Sequence, residues 1–172
     1  DPSALHNEKE TDIYDQIVEM ESDFMANFPA VKEEHNEIQV DVSLEGTSTW
    51  GTCDRFLVLE SGKEAVMADY KTGISIIDAP EHNWQAKAYT IGAFQKYKDI
   101  DKIVFVFYVP QHNVSLFYTF SRDDLAGMIQ ELSEIIKKGE EIRPRWDKGT
   151  IDLDDCTPTQ YCRFCKHEDA GC

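Results

Sequence analysis

The chain has 172 residues, with 17 Lys and Arg against 33 Asp and Glu, a formal net charge of -16 and 41% hydrophobic residues. That length suits one compact domain with its own core, and the composition excludes a disordered or collagen-like chain. No apolar run approaches the roughly 20 residues that cross a bilayer, and strong acidity argues against a general coat for nucleic acid, whose phosphates favour a basic surface.

Ile13, Ile17, Met20, Phe24 and Phe28 mark one stripe of a helix over residues 9–28, ended by Pro29. Glu10, Asp12, Asp15, Glu19, Glu21 and Asp23 read as its solvated faces. Ile38, Val40, Val42 and Leu44 alternate along a strand, and residues 45–49 turn into a second strand over 50–60. Ser61-Gly62 closes a two-residue hairpin loop, and a third strand returns over 63–71 until Thr72-Gly73 breaks it. Residues 74–79 form a short extended piece stopped by Pro80. Asn83 caps a helix running to about residue 98, and two apolar strands follow at 103–109 and 114–120. Ser121 caps a last helix over 122–138, with Leu125, Met128, Ile129, Leu132, Ile135 and Ile136 inward and Gly139 as its stop. The order α-β-β-β-α-β-β-α implies an α/β or α+β fold, a mixed central sheet flanked by helices. That core occupies residues 1–150, and residues 151–172 form a cysteine-rich tail packed on the same domain.

There are five cysteines, four of them within residues 156–172. An odd, clustered set is a poor disulfide framework, and no secretory signal opens the sequence. The expectation is a cytoplasmic protein, in a bacterial cell or a phage-infected host, whose reduced thiols hold a metal or an iron–sulfur cluster.

The chemistry lies on the hairpin. Asp69 and Lys71 are two apart on a strand and share a face. If Ser61-Gly62 is the whole loop, Glu60 pairs with Lys63, and the register carried back places Asp54 opposite Asp69, with Cys53 on the other face. Two close carboxylates attract a divalent cation, and oxygen-only ligation suits Mg²⁺ or Mn²⁺. A lysine beside it can hold a water or offset charge developing on a phosphate. An ordinary Asp–Lys ladder on a sheet surface is the alternative.

Together, Gly51-x-x-Asp54, Asp69-x-Lys71-Thr72-Gly73 and Gln85-x-x-x-Tyr89 resemble, in that order, the PD-(D/E)XK nucleases, in particular the RecB-type branch. The resemblance implies a restriction-endonuclease-like core. It implies that Asp54, Asp69 and the carbonyl of Tyr70 bind Mg²⁺ or Mn²⁺, that Lys71 aligns the attacking water, and that Gln85 and Tyr89 line the site. His6 is the candidate for the histidine ligand that many relatives carry on the first helix. The implied activity is that of a deoxyribonuclease, an exonuclease of phage or bacterial recombination and repair. The alternatives are an endonuclease, a nuclease module of a larger helicase–nuclease complex, and a non-catalytic iron–sulfur or zinc module on a degenerate nuclease core.

The tail, Cys156-x5-Cys162-x2-Cys165-x6-Cys172, resembles the [4Fe–4S] closure of some helicase- and CRISPR-associated members, with zinc as the alternative. Those relatives usually draw their fourth ligand from far upstream, whereas Cys156 is the nearer choice here. DNA contacts are expected from Arg55, Trp84, Lys87, Arg143 and Arg145 as a local phosphate track with an aromatic platform. The expected partners are DNA and a recombination, helicase or CRISPR-type protein, with self-association open and no membrane.

Overall fold

The computed structural model describes residues 8–73 and 77–150. The chain divides into two compact units, Asp1–Leu132 and Ser133–Cys172, with the division inside the last helix.

In the first unit, helix α1 (Glu8–Met25) precedes strands β1 (Val31–Ser43), β2 (Ser48–Leu59) and β3 (Glu64–Tyr70). Helix α2 (Trp84–Lys96) and strands β4 (Lys102–Val109) and β5 (Val114–Ser121) follow, and helix α3 (Leu125–Asp147) starts in the first unit and ends in the second. The strands lie in the order β1-β2-β3-β4-β5. All neighbours are antiparallel except β3 and β4, which are parallel. Short turns permit the antiparallel pairs, while a parallel pair needs a crossover, and α2 supplies it. The fold is therefore α+β, a mixed five-stranded sheet with helices against it.

The apolar stripe of α1 packs where the spacing places it. Met20 joins Leu57, Leu59, Val66, Ala68, Val106 and Tyr108 in one buried cluster, with Phe24, Phe28 and Tyr70 against it. Residues of opposite parity on the central strands, Ala65, Met67, Phe105 and Phe107, are equally buried. Burial on both faces explains why β3 and β4 read as continuous apolar runs. Each fully buried large side chain contributes about 1.5–3 kcal/mol. On the second face α2 lies close over β1: a Cβ added at Gly92 would meet Val40 Cβ at 2.9 Å and the Asp41 carbonyl at 3.0 Å.

The hairpin register is the expected one. Arg55 pairs with Ala68 and Phe56 with Met67, but the connection is longer than the expected two residues: β2 ends at Leu59, β3 starts at Glu64, and the Gly62 N–H donates to the Leu59 carbonyl at 2.8 Å, with Gly62 at a φ of 67°. The regular alternation of β1 does not persist along its length. Val40 faces α2, and so does His35, whose ring lies 6.0 Å from that of Tyr97 just past the end of α2. Residues an odd number apart share a face because the alternation slips between them, where Glu37 takes a φ of 51° while pairing with β2 continues on both sides.

Several boundaries differ from the sequence expectation. β1 starts at Val31, seven residues before its apolar pattern, because pairing with β2 extends it through charged edge positions. α1 ends at Met25 and a turn carries the chain to Pro29. α3 does not stop at Gly139 but runs through it and through Pro144 to Asp147. A helical glycine costs about 1 kcal/mol and ends a helix only when it adopts the left-handed cap, and Gly139 has no positive φ. Met128 and Leu132 are buried as expected, whereas Ile135 is 42% exposed. Residues 77–79 form no regular element, and the rest of the extended piece expected there lies outside the described residues.

Candidate active site

The site forms where β2 and β3 separate, at the carboxyl end of β3 and the amino end of α2. Beyond the Arg55–Ala68 pair, Asp54 joins the strands through its side chain: its Oδ2 accepts a hydrogen bond from the Tyr70 backbone N–H at 2.7 Å. The Asp54 carboxylate is thus fixed by β3 itself.

Asp69 is 4% exposed. Its Oδ2 lies 2.6 Å from Lys71 Nζ, and its Oδ1 accepts from Gln85 Nε2 at 2.9 Å. Lys71 Nζ donates in turn to Gln85 Oε1 at 2.7 Å, closing a three-residue ring of hydrogen bonds. Burial raises the Asp69 pKa above the usual carboxylate value and the Asp54 charge adds to the rise, while Lys71 and Gln85 oppose it. The Lys71 ammonium also sits 5.2 Å from the centre of the Phe107 ring. Its backbone N–H donates to the Tyr108 carbonyl at 2.9 Å, extending the parallel ladder by one step.

Gln85 is held from two sides. The Asn83 side chain caps α2 by accepting from the N–H groups of Gln85 and Ala86 at 2.9 and 3.2 Å. One turn later the Tyr89 hydroxyl lies 3.1 Å from Gln85 Nε2. The Tyr89 ring rests on Gly51, where an added Cβ would meet Tyr89 Cε1 at 2.2 Å. The glycine three residues before the β2 aspartate thus makes room for the tyrosine four residues after the glutamine.

The structure brings together Asp54, Asp69, Lys71, Gln85 and Tyr89. It separates Arg55 from them. That side chain reaches the opposite face of the sheet, where it is ion-paired with Glu21 of α1 and, at 2.9 Å, with Glu34 of β1. Burial lowers the Arg55 pKa, but Glu21 and Glu34 outweigh that effect and hold it above the ordinary value. Lys87 pairs with Glu131 at 2.6 Å and lies 4.7 Å from the ring centre of Trp84, which is 44% exposed beside Gln85. Trp50 and Trp146 are also exposed. Arg143 and Arg145 lie on the part of α3 that belongs to the second unit. Cys53 is buried against the Arg55 and Ala68 carbonyls, and burial pushes its thiol up to about 12, so it stays protonated at neutral pH. His6, Cys156, Cys162, Cys165 and Cys172 lie outside the described residues.

Glu21 is the residue that sequence reasoning misplaced. Expected on a solvated face, it holds both Arg55 and the Tyr70 hydroxyl, the latter at 3.3 Å from each carboxylate oxygen. The signal was present: Glu21 lies four residues after Ile17 and three before Phe24, on the apolar stripe itself. Among the described residues no group of three or more His, Cys, Asp and Glu side chains gathers as a metal site. A cation would have to rest on Asp54, Asp69 and backbone oxygen. The donor chemistry fits a hard divalent ion, because both carboxylates are fixed and Asp69 carries negative charge that its buried surroundings disfavour.

Among the described residues no helix is long and apolar enough to cross a membrane. One family model matches, DUF2800, described as a protein of unknown function, over residues 7–172. A comparison with curated proteins finds no match. Two crystal structures are similar at low identity. One is of a candidate exonuclease from Eubacterium rectale, at 12% identity and a TM-score of 0.49, covering 93% of this chain and 62% of that one. The other is of the protein SSO0001, at 15% identity and a TM-score of 0.39, covering 90% of this chain and 65% of that one. The chain therefore spans less than two thirds of the length of either.

Proposed function

The chain belongs to the DUF2800 family, and for it we propose metal-dependent hydrolysis of DNA phosphodiester bonds, in the manner of a PD-(D/E)XK exonuclease. The observation that carries this reading is the closed ring of Asp69, Lys71 and Gln85 beside the fixed carboxylate of Asp54. An ordinary surface ladder needs neither a buried aspartate nor a glutamine that bridges both charges.

Asp54, Asp69 and the Tyr70 carbonyl would hold Mg²⁺ or Mn²⁺. Such an ion, when bound, supplies Lewis acidity and a water of lowered pKa. The chain's own groups do the rest. Lys71 has three N–H donors; Asp69 and Gln85 engage two, leaving one for the attacking water or a phosphate oxygen. Gln85 keeps the ammonium aimed, and Tyr89 and Asn83 keep Gln85 in place. A fixed ammonium offsets charge growing on phosphorus-bound oxygens without reorganising as it grows. Trp84, exposed beside Gln85, offers a face for an unpaired base. Lys87 and Arg55 are engaged by acids, so the described residues provide a sparse phosphate track. DNA retention then calls for a partner protein, self-association, or the basic residues of the second unit.

The test is cleavage of end-labelled linear and circular DNA, single- and double-stranded, with Mg²⁺, Mn²⁺ or EDTA. Cutting of linear DNA alone marks an exonuclease, and cutting of circles an endonuclease. Asp69→Ala and Lys71→Ala are expected to lower the rate by about 10²–10⁴. Cutting that survives EDTA or both substitutions sinks the reading. The tail cysteines would hold a structural [4Fe–4S] cluster or zinc, which metal analysis and the visible absorption of the purified protein would separate.

A further inference from the structure

On the opposite face of the sheet from Asp69 and Lys71 lies a second polar network that the proposed chemistry does not use. Tyr70 sits between those two residues in the sequence, so its side chain points the other way. Its hydroxyl is 3.3 Å from both oxygens of Glu21, and its ring stacks on Tyr108 at 5.8 Å. Arg55, next to Asp54 on β2, is ion-paired with the same Glu21. Glu21 is well sheltered, its side chain only 13% exposed.

We infer that Glu21 is a positioning residue that sets the cation-binding backbone from behind the sheet, acting on Asp54 through Arg55 and on the Asp69-Tyr70-Lys71 segment through Tyr70. This rests on the function proposed above. Two strands must hold two carboxylates in register just where their ladder ends. On the front, the Asp54–Tyr70 hydrogen bond spans that gap, and the Cys53 thiol also crosses from β2 to the Ala68 carbonyl of β3. On the back, one carboxylate holds the next residue of each strand, Arg55 of β2 and Tyr70 of β3. Removing Glu21 takes away the shared acceptor of the Tyr70 hydroxyl and the Arg55 guanidinium, leaving the Tyr70 side chain to its stack on Tyr108 and loosening the backbone it anchors. The links are charge-assisted in a poorly solvated setting, the class in which hydrogen bonds are strongest. Outer-shell partners of this kind commonly change metal affinity or activity by 10–100-fold when removed.

The test is a graded series, Glu21→Ala, Glu21→Gln and Tyr70→Phe, with Glu19→Gln on the exposed side of α1 as a control. Mn²⁺ affinity is measured from the free-ion electron paramagnetic resonance signal. Amide exchange at residue 70 is followed in EDTA, and circular dichroism confirms folding. Glu21→Ala is expected to weaken Mn²⁺ binding about tenfold or more and to speed amide exchange at residue 70. Tyr70→Phe should move both in the same direction. Glu21→Gln, which keeps an acceptor for the Tyr70 hydroxyl, should recover part of the loss, and Glu19→Gln should match the wild type. If Glu21→Ala does not fold, Tyr70→Phe decides. Wild-type Mn²⁺ affinity in the folded variants overturns the inference and leaves the nuclease reading standing. A wild type that binds no Mn²⁺ overturns the nuclease reading and, with it, the cation-setting role of Glu21. Unchanged exchange at residue 70 in every variant overturns the clamp by itself.

Discussion

Gly51→Ala separates a steric role for this glycine from a merely permissive one. The added methyl would lie 2.2 Å from Tyr89 Cε1, where ordinary contact begins at 3.4 Å, so the ring must retreat by about 1 Å. The obstacle is the end of a flexible side chain, not backbone, so the overpacking cost belongs in the middle of the usual range of about 1–3 kcal/mol. Retreat also stretches the Tyr89–Gln85 hydrogen bond from 3.1 Å, a loss of about 1 kcal/mol. Against these, replacing glycine in a strand interior returns about 0.5–1 kcal/mol. The net is a destabilisation of about 2 kcal/mol in the wild-type background. In a Tyr89→Ala background the clash and the hydrogen bond are both gone, and the same substitution should stabilise by about 0.5 kcal/mol. Urea unfolding of the four proteins of this cycle gives the coupling from midpoint shifts at constant slope. An equal cost of Gly51→Ala in both backgrounds would refute the reasoning. With Tyr89 displaced, Gln85 loses one of its orienting contacts, so DNA cutting by Gly51→Ala should fall about tenfold, as expected when a group positioning the chemistry shifts by a fraction of an ångström.

Asp69→Asn should abolish cutting yet raise stability in EDTA at pH 7. Burial lifts the folded pKa of Asp69 above its unfolded value, so the stability that group contributes is complete below the unfolded pKa and is lost as pH rises through the folded one. The stability advantage of the Asn variant should therefore grow from acid to neutral pH in paired urea titrations, and a less stable variant at pH 7 would contradict this. Arg122→Ala should cost about 3 kcal/mol in thermal or urea unfolding. Its guanidinium donates to the carbonyls of Phe94 (3.0 Å), Tyr97 (2.6 Å) and Ile100 (2.7 Å), and each charged hydrogen bond is worth about 1.5–3 kcal/mol without full additivity. Arg122→Lys should not restore it, since one ammonium cannot span three carbonyls. Tyr108→Phe should raise stability by up to about 1 kcal/mol, because that hydroxyl is fully buried with no hydrogen-bond partner among the described residues. Destabilisation by this variant would point to a partner for the hydroxyl.

The elements most legible in the sequence were those with one strong period and a clear stop. The stripe from Ile13 to Phe24, the Asn83 cap and the two apolar strands around Pro110 all stand where their patterns place them. The errors lie where long-range pairing overrides local pattern. The first seven residues of β1 carry charge and no alternation, and only the partner strand makes them extended. Arg122 shows the same limit. It lies in the short 3-10 turn before α3, and its partners are more than twenty residues back in the chain. It is well placed for another helix, covering carbonyls at the carboxyl end of α2, where a cation is favoured.

For the site, spacing was informative because it encoded contact. The hairpin register placed Asp54 against Asp69, and the i, i+4 step placed Tyr89 over Gln85. What spacing could not convey was which charges were already engaged. Arg55 and Lys87 look like phosphate contacts in a list of basic residues, but Glu21 with Glu34, and Glu131, hold them. The net charge of -16 takes on a different meaning for the same reason. Some of the acid is structural, engaging the cations that would otherwise meet DNA. Asp54 is fixed on the Tyr70 N–H, and its charge adds to the burden on buried Asp69, which Lys71 partly offsets. Under the proposed function, a divalent cation would relieve that imbalance and present positive charge to a phosphate at the same point, so that a metal ion, rather than a basic surface, would bring an acidic protein to DNA.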